Sequence, residues 1–378
     1  MAILSNNTLL PLQPTYRLLS FPVQTKLNNF TFNFGTNLYY NYPVTTYPNR
    51  ARAAPIFTAS SNVDVSTSTT LSVTGCFCNY LLIIIKGWTE FVKNVSGEWD
   101  GFGADFTKGG TPIELPESVV PEAYREWEVK VFDWQTQCPT LAQPHEFSLM
   151  YKNIKLLPTV GCEADAATRY SIDERNVTNN EQSPVLAFAY QSSGCYVAVW
   201  PVADHDSDKL LELEYCLIDP RDKESRVRII QVIRIEDSKL ELQNIKVFVE
   251  QWYGPFRNGD QLGGCSIRDS AFAVTQPLKP SQVTGVWQGL NAVATFNNSQ
   301  TIILQLRDES VRQTVRDERS LVLLPKQLWC SLREEENEET FCEVGWLLDE
   351  GRTITSKCIF SSQAELKEIA IASEEVAG

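Results

Sequence analysis

Histidine and methionine are nearly absent from this sequence: His145 and His205, Met1 and Met150 are the full complement. Metal sites built on histidine and Met-rich binding grooves are therefore poorly supplied. No Gly-x-Ser-x-Gly, no phosphate-cradling Gly-x-x-x-x-Gly-Lys-Ser/Thr and no strand-linked Gly-x-Gly-x-x-Gly occurs. Catalysis is not expected, and no cofactor or metal is required. Long apolar runs are missing as well. Residues 80–85 form a run of six, against the ~20 that a spanning helix needs, so no transmembrane span is expected. Basic charge is short: 33 basic against 47 acidic residues, a net charge of -14. Phosphate backbones require a basic footprint, which argues against nucleic-acid binding, and anionic membrane surfaces repel such a chain.

What is present is ordinary globular material. The 378 residues are 43% hydrophobic and 21% charged, which excludes wholesale disorder. That length suggests about two domains and an extension.

The extension is the first 63 residues. They hold no Asp or Glu, four basic residues (Arg17, Lys26, Arg50, Arg52) and many hydroxyl side chains. An acid-free, hydroxyl-rich, mildly basic leader is the composition of an organelle transit peptide. Arginine is sparse and no strong amphipathic helix appears, which favours chloroplast, in the stroma, over mitochondrion; a disordered tail is the plain alternative. Residues 64–87 read as an atypical linker, whose composition would also fit translated intron. Its Cys76-Phe77-Cys78 lacks the second pair or histidine that a metal site needs. The remaining cysteines are irregularly spaced and several sit in apolar strands, so buried, reduced thiols are expected.

Period-two alternation runs through the body of the chain. It appears at residues 126–131, where Trp127, Val129 and Val131 alternate with charge, at Leu211-Glu212-Leu213-Glu214-Tyr215, and over 226–235 with a polar turn at 236–239. Each reads as a strand with one wet and one dry face. Further strands are expected at 245–252, 301–306, 320–324, 328–332, 340–348, 353–360 and 366–372. Breakers crowd residues 257–284.

Gly97-Glu98-Trp99-Asp100-Gly101 and Gly285-Val286-Trp287-Gln288-Gly289 share Gly, Trp and Gly in register, each ahead of a run of strands. A duplicated unit is the reading. In it, the indole closes a barrel floor and the glycines allow a tight bend around it.

Gly-x-Trp on the opening strand of a small barrel resembles the lipocalin hallmark. The run 96–104, with 124–129 (Tyr-Arg-Glu-Trp-Glu-Val), 132–138, 328–331 and 343–346, resembles an uncharacterised family of cyanobacteria and plant plastids that looks like two-domain lipocalins. A more distant likeness is to lipocalin-fold lyases that attach bilins. The resemblance covers residue 88 to the C-terminus. It implies an all-β chain of two antiparallel lipocalin-like barrels in tandem, the first over 88–258, a linker over 259–279 and a second, smaller barrel over 280–378.

Such barrels either fill their interior or line a cavity. With a cavity in the first barrel, Trp127, Trp134, Tyr190, Trp200 and Trp252 would line it, and Arg125 would meet a carboxylate at the rim. The expected function is then a non-catalytic plastid carrier or chaperone for a hydrophobic small molecule, such as a tetrapyrrole, carotenoid or lipid. Two alternatives stay open: an assembly factor for a photosynthetic complex, with protein partners, and a chromophore lyase or isomerase. Gly97, Trp99, Gly101, Gly285, Trp287 and Gly289 are expected to be structural.

Overall fold

The computed structural model describes residues 84–159, 168–179, 183–202, 209–260, 271–296, 302–335 and 338–377. The expected leader, most of the 64–87 linker, much of the expected 259–279 linker and His205 lie outside the described residues. Those described belong to one compact unit, Thr67–Gly378.

A helix over 84–95 (α1) leads into β1, Glu98–Thr107. A short helix, α2 (Glu122–Glu126), precedes β2 (Asp133–Gln137), β3 (Thr140–Gln143), β4 (Ser148–Leu156) and β5 (Arg169–Val177). There follow β6 (Ala187–Tyr190), β7 (Tyr196–Val202), β8 (Lys209–Ile218), β9 (Ser225–Glu236) and β10 (Lys239–Gly254). The second half brings β11 (Gly285–Thr295), β12 (Ile303–Gln305), β13 (Arg307–Arg316) and β14 (Leu321–Leu324). It closes with β15 (Leu328–Glu334), β16 (Thr340–Asp349), β17 (Arg352–Phe360) and β18 (Leu366–Val376).

These strands make an all-β, tandem barrel-like fold. The first sheet is 11-stranded, ordered β12-β6-β7-β8-β9-β10-β1-β2-β4-β3, with β5 on β4. The second is 7-stranded, ordered β13-β11-β18-β17-β16-β15-β14. Side chains bridge strands far apart in each order, so both sheets curl. Tyr151 on β4 bonds Glu214 on β8, and Arg316 on β13 bonds Glu343 on β16 at 2.6 Å.

The Leu-Glu alternation of β8 does not have a wet face. Leu213 and Tyr215 point out of the first barrel into a core shared with Ile229 and with Cys342, Val344 and Cys358 of the second sheet. Glu212 and Glu214 point inward and are buried as well. The Tyr215 hydroxyl lies 3.1 Å from both Gln231 Oε1 and the Cys342 carbonyl, and Gln231 Nε2 donates to the Ser331 carbonyl at 3.1 Å. The six described cysteines are free and buried. Burial pushes the Cys330 and Cys358 thiols up to about 12, as expected of thiols that act as small hydrophobes.

Register relates the two halves residue by residue. The order β6-β7-β8-β9-β10-β1-β2 repeats as β14-β15-β16-β17-β18-β11-β13. Gly101 faces Glu250 and Gly289 faces Glu374. A Cβ on Gly101 would lie 2.0 Å from the Val249 carbonyl oxygen, and one on Gly289 2.1 Å from that of Ser373. Trp99 and Trp287 thus match, and each indole donates to the carbonyl four residues upstream, Val95 at 2.9 Å and Val283 at 2.7 Å. Following the ladders outward, Glu250 faces Arg226 while Glu374 faces Thr353. Continuing to the next strand matches Ile218 with Leu347, and Glu214 and Glu343 each lie four residues before them, so they correspond. On the other side, Gly97 bridges Thr140 where Gly285 faces Arg316.

Both halves therefore bury a pair of glutamates in matching positions, but their arginines come from different strands, Arg226 and Arg228 on β9 in the first and Arg316 on β13 in the second. The first has Arg226 on β9 with Thr140 beside it; the second has Thr353 on β17 and Arg316 on β13. Each guanidinium covers an indole, Arg226 at 4.2 Å from the Trp99 ring and Arg316 at 4.7 Å from Trp329.

Two local expectations fail. Residues 126–131 are not a strand: Pro121 starts the single-turn α2, Glu128 adopts a left-handed φ of 55° after it, and Trp127 and Val129 stay exposed. Among the described residues no strand pairs with this stretch; only the Val131 carbonyl accepts a backbone bond, from Leu115 at 2.8 Å. The strand expected at 245–252 starts earlier, at Lys239, as the longer β10, which carries an irregularity between Leu242 and Asn244.

Candidate ligand-binding cleft

The interior of the first barrel is a polar core. Glu214 accepts bonds from Tyr151 and Tyr196 hydroxyls, from Trp200 Nε1 at 3.2 Å and from Arg228 Nη1 at 3.0 Å. Glu250 accepts from Arg226 Nε at 2.6 Å and from Arg228 Nε and Nη2 at 3.0 and 2.8 Å. Arg175 reaches Glu212 at 2.5 Å. Burial alone would raise the Glu250 carboxyl, but Arg226 and Arg228 outweigh it and hold it below the usual carboxylate range. Burial and the Glu214 charge together push the Tyr151 phenol far up, so it stays protonated and donates. An interior built this way offers fixed charge rather than apolar surface.

The expected ligand residues are scattered. Trp200 belongs to the polar core, with Arg175 5.2 Å over its ring. Trp134 sits in a satellite cluster with Leu115 and Val119 and stacks on Tyr170 at 4.8 Å. Arg125 and Trp127 are exposed on and after α2. Trp252 is half-exposed and donates to the Ser96 carbonyl at 3.3 Å. Tyr190, which pairs with Tyr196 and so shares the sheet face of Glu214, lines a cavity where the described residues of several elements meet.

It is a cleft of about 600 Å³ where α1 and the two sheets meet. Its apolar wall is Ile84 from α1, Phe147 from the β3–β4 turn, Val293 and Ala294 from β11, and Ile303 and Leu304 from β12. Tyr190, Asn179, Thr295, Gln305 and Arg307 supply polar atoms. A smaller cleft of about 380 Å³ shares Ile84, Gln305 and Arg307 with it.

Two elements position this site. In α1, Trp88, Phe91 and Val95 are fully buried. Trp88 packs edge-on to Tyr190 at 4.9 Å and stacks on Phe147 at 5.3 Å, while Phe91 lies 5.2 Å from Tyr190. Burial among these rings pushes the Tyr190 phenol up. Strand β12 leaves the second half of the chain to pair in parallel with β6, carrying Ile303 opposite Phe188 and Gln305 opposite Tyr190. A concavity with an apolar wall and several polar groups at a junction of sheets is one kind of place where small molecules bind. Sequence reading missed α1, although Ile84, Trp88, Phe91 and Val95 follow helical spacing. The parallel pairing of β12 has no local signal.

No protein-family model matches the chain, and no curated protein matches it. Among solved structures, it is similar to a protein of unknown function from the DUF3598 family of Nostoc punctiforme. The identity is 12%, covering 77% of this chain and 99% of that one, with a TM-score of 0.45. A transferrin binding protein B from Haemophilus parasuis matches at 7% identity over 74% of this chain and 76% of that one, with a TM-score of 0.13.

Proposed function

We propose that this chain is a non-catalytic carrier of a hydrophobic small molecule, acting in the plastid and holding its ligand in the cleft between α1, β11 and β12. The observation that carries the reading is the cleft itself, about 600 Å³ with an apolar wall drawn from three elements. At roughly 25 cal/mol per Å² of apolar surface removed from water, a ligand burying about 300 Å² gains about 7.5 kcal/mol, close to the ~8 kcal/mol that micromolar affinity represents. The compartment rests on the acid-free leader.

The test is extraction of the full chain purified from its native tissue, followed by mass spectrometry and a visible spectrum. Enrichment of one apolar compound, lost in Ile303→Trp, is the expected outcome. No enriched compound, with no binding of fatty-acid, carotenoid or tetrapyrrole probes, contradicts it. A fluorescent fusion of residues 1–70 should enter plastids; cytosolic fluorescence contradicts the address.

One observation favours the assembly-factor reading as a second. Val286 faces Val315 and Leu290 faces Val311 across β11 and β13, and all four are exposed. Such a row suits a protein partner. Co-purification of a stoichiometric partner, abolished by Val311→Lys, would put that reading ahead.

A further inference from the structure

We infer that the ligand of the cleft is an amphiphilic anion, whose negative group is met by Arg307 while its apolar body lies against Val293, Ile303 and Leu304. The inference rests on the cleft being the binding site and adds the chemical class of what enters it.

Arg307 is the first residue of β13 and lines both clefts, at the place where they share Ile84 and Gln305. Among the described residues it is the one charged residue along the larger cleft; Asp308 lines only the smaller. Its pairing with Val293 fixes the guanidinium's strand against the apolar wall. The residue is exposed, so a bound anionic group keeps part of its hydration while the tail is dry. Arg307 has contacts of its own within the fold. A guanidinium carries five N–H donors, which allows it to take a carboxylate in addition. The chain as a whole is acidic, at -14, so its overall field does not draw anions; a local cation has to. Neutral pigments and hydrocarbons gain nothing from this residue, whereas a carboxylate on an acyl chain or on a tetrapyrrole gains a charge-assisted bond.

Two probe pairs separate these sources on the full-length protein: cis-parinaric acid with its methyl ester, and mesoporphyrin with its dimethyl ester. In each pair the apolar body is the same and the charge is removed. At least one acid should bind about 10-fold tighter than its ester. Arg307→Gln should remove that gap by weakening the acid about 10-fold relative to its ester, and Arg307→Lys should restore most of it. The pair that shows the gap identifies acyl chain or macrocycle. Equal binding of acid and ester in the unmodified protein, with both lost in Ile303→Trp, overturns the anion assignment and leaves the cleft as a binding site. Failure of all four probes to bind overturns both.

Discussion

Glu250 and Glu374 occupy matching positions, yet each recruits its arginine from a different strand. A single arginine-to-threonine change in either half leaves a buried carboxylate without part of its compensation, a loss typically worth about 3–5 kcal/mol. Arg226→Thr should therefore destabilise by that order, and adding Thr140→Arg should recover a substantial part, since it installs the arrangement that the second half already uses. Urea denaturation of the two single variants and the double measures the coupling; strictly additive losses would contradict the equivalence. Asp100 makes a second residue-level case. It is buried with Oδ1 unpartnered, and burial followed by the nearby Glu98 charge raises its carboxyl to about 6 from 3.8. Folding then favours the protonated form. The contribution is intact below about pH 4, falls as pH rises through about 6, and stays lower above it, by roughly 2–3 kcal/mol. Asp100→Asn should accordingly stabilise the protein at pH 7.5 and have little effect at pH 4. Equal effects at both pH values would contradict the cause assigned. The Gly-x-Trp-x-Gly repeat was readable because its spacing is local. The exchange of arginine and threonine was not, because it exists only once registers across four strands are fixed.

At the scale of elements, the opening strands β1 and β11 make the closest approach to their neighbours. A Cβ at Gly101 or Gly289 would enter the backbone of β10 or β18. Gly101→Ala and Gly289→Ala should each cost at least about 2–3 kcal/mol and reduce soluble yield to a similar degree, measured by thermal melts. A neutral effect at either would break the correspondence between the halves. Most strands of the second half were legible from alternation, among them β15, β16 and β17. Alternation misled where context decides its meaning. In β8 the glutamates face the interior because the opposite face is already covered by the second sheet. Around Trp127 three apolar residues alternate with charge but no described strand pairs with them, and Pro121 and Glu128 shape a turn instead. α1 escaped because its apolar residues overlap a run that looked anomalous for other reasons, although Trp88→Ala should cost about 3–5 kcal/mol as the loss of a fully buried indole.

At the scale of the whole molecule, the two sheets share one core rather than standing apart. Tyr215, Gln231 and the parallel strand β12 tie the halves together, and the cleft exists only because they meet. The two-barrel organisation was visible in the repeat, but a site made by a junction is invisible to reasoning that treats each barrel alone. For that reason the aromatic residues expected around one lumen are distributed over a polar core, a satellite cluster and the surface. The location of binding is most directly measured by photo-crosslinking the full chain with a diazirine-bearing palmitic acid analogue and mapping the labelled residues by mass spectrometry. Saturable labelling at Val293 and Ile303, competed by unlabelled palmitic acid, is the result expected of a ligand held in the cleft. Saturable labelling at Trp200, Glu214 or Arg228 inside the first barrel instead would contradict it.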